Sequence, residues 1–572
     1  MWGSVNGGEE AGFDQGIIIQ MTGVRGSSCV DNVNGSCQVV LPSENGPPHM
    51  RSGAYACCRS SRIGGIPYSK LFKTRVGAMR NLWLVALSIA LGIQAMPSER
   101  WCLADEPSAE VATFSLHPDN PRYFLFRGKP TVLITSAEHY GLLLNKSIDY
   151  RAYLAELAAH GLNHTRVFSG AYREDSAAFN ITENTLAPQD EDYLAPWQRA
   201  PQTTADESPK WDLTRWDESY FQRLQDIVAE ASRHEIVLEL TLFCPMYNPG
   251  MWAINPMQIK NNINGIGNCS SLEVYTAQHT DLLEIQIALA QKLVRELVAF
   301  DNVYYEICNE PYFGGVTEQW QRRIIDGVVA TQGEVGCQKL ISLNVANGSQ
   351  RVEHPHPAVS LFNFHYCHPP VAVADNWHLN KPIGENETGF RGPHDFLYRT
   401  EGWDFMLAGG ALFNNLDYSF SASHPAGTLS DYSSPGGGSR ALRQQLGVLK
   451  QLLDDLPLPH IAPQPSDLVA TSPDLSCLAL GKAGEAYVLY IHRKLPKKLN
   501  QAALELLHAP RAPVELSLSL PAGEYDVVRI NPVSGERGQL PRVSVNDQPL
   551  SLTLPDFHLD AALLLTQRRT QD

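Results

Sequence analysis

Between residues 113 and 455, eight short apolar runs alternate with longer amphipathic stretches, and this alternation leaves few folds open. The runs lie at 132–136, 165–169, 237–243, 303–309, 339–345, 361–366, 382–387 and 411–418, and they are apolar on both faces, as strands covered on both sides must be. Helical periodicity marks 149–160, 217–234, 275–300, 317–331, 398–407 and 440–453, whereas the link 345–361 is too polar and proline-rich for a helix. Strand and helix in alternation specify a parallel sheet covered by helices. Eight repeats fit a (β/α)8 TIM barrel with enlarged loops better than an open doubly wound sheet. No glycine-rich phosphate loop follows the first strand, where the sequence reads Ser136-Ala137-Glu138-His139-Tyr140-Gly141, so a nucleotide-binding reading loses its main support.

The texture changes after Leu453. The proline-rich segment 456–465 reads as a stiff linker, and beyond it short strands are expected at 487–492, 514–520, 525–531, 550–554 and 561–565. They specify a C-terminal antiparallel β-sandwich over 466–570, expected to pack on the barrel rather than to bind carbohydrate by itself. Ahead of the barrel, residues 1–78 are rich in Gly, Ser and Asn without periodicity and read as disordered or as an over-extended start, with Met79 as the true first residue. A short positive region, an apolar run and small residues make 79–104 a secretory signal, the run being shorter than the ~20 residues of a membrane span. A membrane anchor with a disordered tail is the alternative. The expected mature protein is secreted or periplasmic and has no membrane span.

A formal net charge of −16 argues against a nucleic-acid partner, which needs a basic footprint. The 11 cysteines include no CxxC pair, and several (Cys244, Cys308, Cys367) fall within or just after strands, which suits buried thiols better than a disulfide framework or a zinc site, though an isolated disulfide stays open.

The active site of a TIM barrel lies at the carboxyl ends of its strands, and those ends are polar here. Glu138 and His139 follow the first strand, Arg166 lies on the second, Asn309 and Glu310 end the fourth, His365 and Tyr366 the sixth, Glu387 the seventh, and Asn415 and Asp417 the eighth. Any one of them alone fits a salt bridge or a strand-end cap; their convergence points to a site. Two carboxylates across a barrel mouth are what glycoside hydrolysis needs. One carboxylate would have to hold a proton for the leaving oxygen and the other to stay ionised, as a neighbouring cation and a hydroxyl donor can ensure. Glu385 competes with Glu387, since residues two apart on a regular strand face the same side, but Glu387 lies nearer the carboxyl end. Glu306, deeper than Glu310, is expected to pair with an interior cation. Tyr172, Trp197, Trp211, Trp216, Tyr247 and Trp252 offer flat apolar surfaces for sugar rings, some of them being core. His354, His356, His365 and His368 lack the spacing of a zinc hydrolase, so neither metal nor cofactor is expected.

Asn309-Glu310-Pro311, His365-Tyr366 on the sixth strand and Glu387 on the seventh resemble the signature of clan A glycoside hydrolases, the cellulase and mannanase superfamily, as a distant subgroup. The likeness covers 113–455, and 124–130 resembles the opening of such enzymes. It implies a retaining hydrolase that cleaves O-glycosidic bonds in an oligo- or polysaccharide by double displacement. Glu310 would be the acid/base, Glu387 the nucleophile and Asn309 a ligand of the sugar 2-hydroxyl, with Arg166, His365 and Tyr366 in support. His139, Asp417 and Trp252 complete the expected substrate-binding set. The family's eighth strand usually ends in a tryptophan, whereas Asn414-Asn415-Leu416-Asp417-Tyr418 stands here. A non-catalytic carbohydrate-binding barrel and a metal-dependent hydrolase are the alternatives.

Overall fold

The computed structural model describes residues 113–568 apart from Asp206, Lys497, Lys498 and Asp547. The expected leader and everything before it lie outside the described residues. Eight strands form one parallel sheet: β1 (Leu133–Ala137), β2 (His164–Phe168), β3 (Val237–Phe243), β4 (Val303–Cys308), β5 (Ile341–Asn347), β6 (Leu361–His365), β7 (Ile383–Thr388) and β8 (Leu412–Leu416). From β2 to β8 each pairs with the next in sequence, and β8 pairs with β1, with Leu412 opposite Leu133. At the seam between β1 and β2, the Asn163 N–H donates to Ile134 O (3.3 Å) and its Oδ1 accepts from the Ile134 N–H (3.0 Å). The architecture is a (β/α)8 barrel.

Outside it run α1 (Tyr150–Ala159), α2 (Glu218–Arg233), α3 (Thr280–Glu296), α4 (Glu318–Val335), α5 (Val371–Asn376), α6 (Asp395–Leu407) and α7 (Arg440–Asp454). Asp149, Asp217, Thr317 and Ser439 cap the free N–H groups of four of them through their side chains, which fixes where each begins. No helix fills the link between β5 and β6. None of the helices described is long and apolar enough to cross a membrane.

A small antiparallel sheet (Ser115–Leu116, Phe124–Phe126, Lys129–Thr131) plugs the amino end of the barrel, where Phe114, Phe124 and Phe126 pack on Leu133, Val237, Tyr304, Leu361 and Leu412.

The sandwich contains β9 (Leu475–Lys482), β10 (Ala486–Arg493), β11 (Val514–Leu518), β12 (Gly523–Ile530), β13 (Arg537–Val545), β14 (Leu550–Leu554) and β15 (Asp560–Gln567), all pairing antiparallel. β9 and β13 were not among the expected strands. β13 is mostly exposed, carries Pro541 and hydrogen-bonds on one side only, so it has the polar composition of a protected edge rather than an alternating pattern. A helix, α8 (Gln501–His508), was likewise not foreseen.

Candidate active site

Glu310 stands one residue beyond Asn309 at the end of β4, and Glu387 near the end of β7. Both are almost covered, at 7% and 6% exposure. One oxygen of each and a ring nitrogen of His365 all lie within 4.8 Å of one another. His365 Nδ1 sits 3.2 Å from Glu310 Oε1 and 3.5 Å from Glu387 Oε1, so one imidazole touches both carboxylates.

Each carboxylate has its own hydroxyls. Tyr247 donates to Glu310 Oε2 at 2.6 Å and Tyr312 to its Oε1 at 3.3 Å. Tyr366 donates to Glu387 Oε1, and Tyr140 to its Oε2 at 2.8 Å. Arg166 lies beneath both, with Nη1 3.2 Å from Glu387 Oε2 and Nη2 donating to Asn309 Oδ1 at 2.7 Å. Asn309 Nδ2 in turn donates to the Tyr247 hydroxyl at 2.8 Å. Burial would raise the proton affinity of Glu387, but the charges of His365 and Arg166 and the hydroxyls of Tyr366 and Tyr140 outweigh it, so the carboxyl lies below the usual carboxylate range. Burial would lower His365, yet the two carboxylates beside it raise it above an ordinary imidazole.

Three non-glycine residues here adopt left-handed backbone: Tyr140 (φ 62), Glu310 (φ 34) and Tyr366 (φ 52). Such conformations are uncommon and persist where the surroundings over-determine them. Tyr140 and Tyr366 turn their hydroxyls to the two oxygens of Glu387, and Glu310 brings its carboxylate to His365. The sequence does not announce Tyr140 as a site residue, because only its left-handed turn after β1 carries its hydroxyl to Glu387.

Below the mouth the barrel interior is charged. Glu306 receives Nε (3.1 Å) and Nη2 of Arg166, and its other oxygen accepts from Asn386 Nδ2 at 2.8 Å; Glu239 lies 3.5 Å from His164 Nε2. Glu306 is thus the buried partner of an interior cation, and that cation is Arg166.

Three expected site residues stand elsewhere or do other work. Asp417 is fully buried, accepting from Arg443 Nη1 at 2.6 Å and Ser136 Oγ at 3.1 Å. It is an internal ion pair rather than a sugar ligand. Trp252, 4% exposed, is packed in the core with its indole N–H on Cys269 O at 2.8 Å. His139 touches neither glutamate; its Nδ1 faces Asn184 Oδ1 at 3.1 Å and its ring leans on Tyr140 and Tyr418.

The expectation that Glu385 and Glu387 share a face fails. The register between β6 and β7 shifts between Phe364 opposite Glu385 and His365 opposite Glu387, and this irregularity sends Glu385 outward. Its Oε1 accepts from the Cys367 N–H at 2.5 Å, while Asn386 takes the inward position. All six described cysteines are free thiols.

No protein-family model matches the sequence, and no curated protein sequence does. Solved structures match over most of the chain. A glycoside hydrolase is 10% identical with a TM-score of 0.53, over 80% of this chain and 97% of that one. A family 5 glycoside hydrolase from Bacteroides vulgatus is 10% identical with a TM-score of 0.52, over 80% of this chain and 93% of that one. A candidate glycoside hydrolase from the same species is 14% identical with a TM-score of 0.53, over 80% and 83%. At such identities the likeness speaks for architecture alone, and the chain shares the fold of these glycoside hydrolases.

Proposed function

We propose that the chain is a retaining glycoside hydrolase with Glu310 as acid/base and Glu387 as nucleophile. The observation that carries this reading is the closeness of the two carboxylates, with oxygens within 4.8 Å across one imidazole. Retaining enzymes hold their carboxyl groups about 5 to 5.5 Å apart, inverting ones about 6.5 to 9.5 Å to admit a water. Glu387, kept ionised by Arg166, His365 and two tyrosine hydroxyls, attacks the anomeric carbon while Glu310 gives its proton to the departing oxygen. Glu310 then takes a proton from the water that releases the sugar from Glu387. Arg166 and Tyr247 orient the Asn309 amide at the level of the sugar ring. The leader read at 79–104 makes the enzyme a secreted one, and N-terminal sequencing of exported protein tests this.

The deciding experiment is a hydrolysis screen over aryl glycosides and plant and algal polysaccharides, with proton NMR of the first product. Release with the starting anomeric configuration is expected, and inversion sinks the double-displacement reading. Glu387→Gln should fall to background, and Glu310→Gln should lose about 10²–10⁴-fold on substrates with poor leaving groups.

A second reading rests on the same triad. Glu310, His365 and Glu387 offer ligand atoms close enough to share a metal ion. The guanidinium at Glu387 and the hydroxyls from Tyr140, Tyr247 and Tyr366 already occupy the carboxylate oxygens, which favours the glycosidase. Loss of activity on dialysis against a chelator, restored by a divalent ion, would reverse that preference.

A further inference from the structure

The loop from β2 to α2 crosses over the barrel mouth. At its tip the Thr182 N–H donates to Ser433 O (2.9 Å), the Ser433 N–H to Thr182 Oγ1 (2.9 Å), Asn180 Nδ2 to Ser433 Oγ (2.6 Å) and the Ser421 hydroxyl to Glu183 Oε2 (2.5 Å). Thr185 Oγ1 ties the same loop to His139 O at 2.9 Å. The loops after β8, β1 and β2 therefore form one continuous wall.

Phe179 stands at the edge of this wall in left-handed backbone (φ 52) and is 44% exposed. Its ring meets Tyr247 at 6.0 Å and Phe390 at 6.3 Å, and Phe390, 42% exposed, meets Tyr366 at 5.3 Å. Tyr247 holds Glu310 and Tyr366 holds Glu387, so the four rings make an arch from one carboxylate to the other. Phe390 reaches its place because Gly389 turns at φ 128 where a Cβ would lie 2.8 Å from Leu416 Cβ. Burying either phenylalanine would stabilise the fold, yet both are displayed, Phe179 in the pinned loop after β2 and Phe390 in the loop after β7, as a carbohydrate-stacking surface requires. Behind the wall lies a buried polar layer: Glu174 takes Asn184 Nδ2 (2.6 Å) and the Tyr172 hydroxyl (3.2 Å), His139 faces Asn184 Oδ1 (3.1 Å), and the Tyr418 hydroxyl has no partner.

We propose that this wall makes the site blind behind one sugar unit, so that the enzyme removes single residues from chain ends, and that Phe179 and Phe390 set this limit. The inference rests on the glycosidase reading above. The polar space inside the wall holds the terminal residue, and the leaving part of the chain exits toward β4–β6, past Tyr312.

The test uses the aryl mono-, di- and triglycosides of whichever sugar the screen identifies, with the full chain and early product analysis. The wild-type protein is expected to release aryl alcohol at once from the monoglycoside, and only monosaccharide first from the longer ones. Direct release of a disaccharide from the aryl diglycoside overturns the inference and leaves the glycosidase reading intact, whereas no hydrolysis of any substrate overturns both. The Phe179→Ala/Phe390→Ala double variant should raise disaccharide over monosaccharide release by about tenfold or more. An unchanged ratio in a variant with wild-type melting behaviour removes the two rings from that role. If the double variant does not fold, Phe390→Ala alone is held to the same direction of change.

Discussion

Glu387 is a carboxylate kept charged where burial disfavours charge, and the hydroxyls that do this are single, removable atoms. A hydrogen bond to a charged group contributes about 1.5–3 kcal/mol, and about 1.36 kcal/mol corresponds to one pH unit. Tyr366→Phe is therefore expected to move the acid limb of kcat/KM upward by about one to two units, because Glu387 then takes up its proton at higher pH. A pH profile in which that limb stays put would mean that Glu387 is not the ionised group controlling it. Arg166 invites a second test. Glu306→Gln removes a charge from a buried pair, and breaking such a pair costs about 3–5 kcal/mol, so a lowered melting temperature is expected together with a shifted pH profile. At this scale the sequence was readable wherever chemistry coincided with a strand end, as at Glu310, His365 and Glu387. It was unreadable where a distant partner decided the matter: nothing near Asp417 announces that Arg443 will pair with it, and nothing near Trp252 announces that Cys269 O will take its indole N–H.

Strand β7 shows what a local irregularity does to a pattern argument. Alternation puts Glu385 and Glu387 on one face, and the register shift puts Glu385 outside, against Glu401. Burial first, then the Glu401 charge, holds the Glu385 carboxyl well above the usual range, which favours its protonated form in the fold. A raised carboxyl contributes stability that is complete below its unfolded value, about 4.3, and is lost as pH rises toward the folded one. Gln mimics the protonated acid and does not ionise. Glu385→Gln is thus expected to keep most activity and to lose less stability than the wild-type protein as pH rises above about 4.3. Activity lost outright, as expected for Glu387→Gln, would show that the two roles were assigned the wrong way round. The eight strands themselves were legible to within a few residues because each is apolar and bounded by loop chemistry. The bulge was not, since no residue type at 385–387 demands it; and the charged interior was hidden because Arg166, Glu239 and Glu306 occur singly within apolar runs.

Across the whole molecule, barrel and sandwich share a core. Trp403 of α6, fully buried, stacks on Tyr490 of β10 with ring centroids 4.9 Å apart, and Leu480, Val488 and Ala562 join the barrel's apolar cluster. Arg399 of α6 bridges to Asp560 of β15 at 2.8 Å. The sandwich was expected to pack on the barrel, but composition cannot say which residues on the far side of a helix it will meet. Trp403→Ala is expected to cost about 3–5 kcal/mol and to lower the unfolding of both halves together. The same interface carries a pH dependence. His492 of β10 lies 3.2 Å from Asp404 of α6; burial would lower its proton affinity, but Asp404, the Arg493 carbonyl and Asp560 raise it beyond that, so the imidazolium is favoured in the fold. A histidine raised on folding contributes stability that is complete below its unfolded value of about 6.5 and is lost as pH rises through the folded one. The melting temperature should therefore fall from about pH 6 upward, in the same direction as the Glu385 contribution, and His492→Gln should flatten that part of the slope. A His492→Gln profile parallel to the wild-type one would place the pH dependence elsewhere, and one combined with Glu385→Gln separates the two contributions, since their partners, Asp404 and Glu401, are distinct carboxylates on α6.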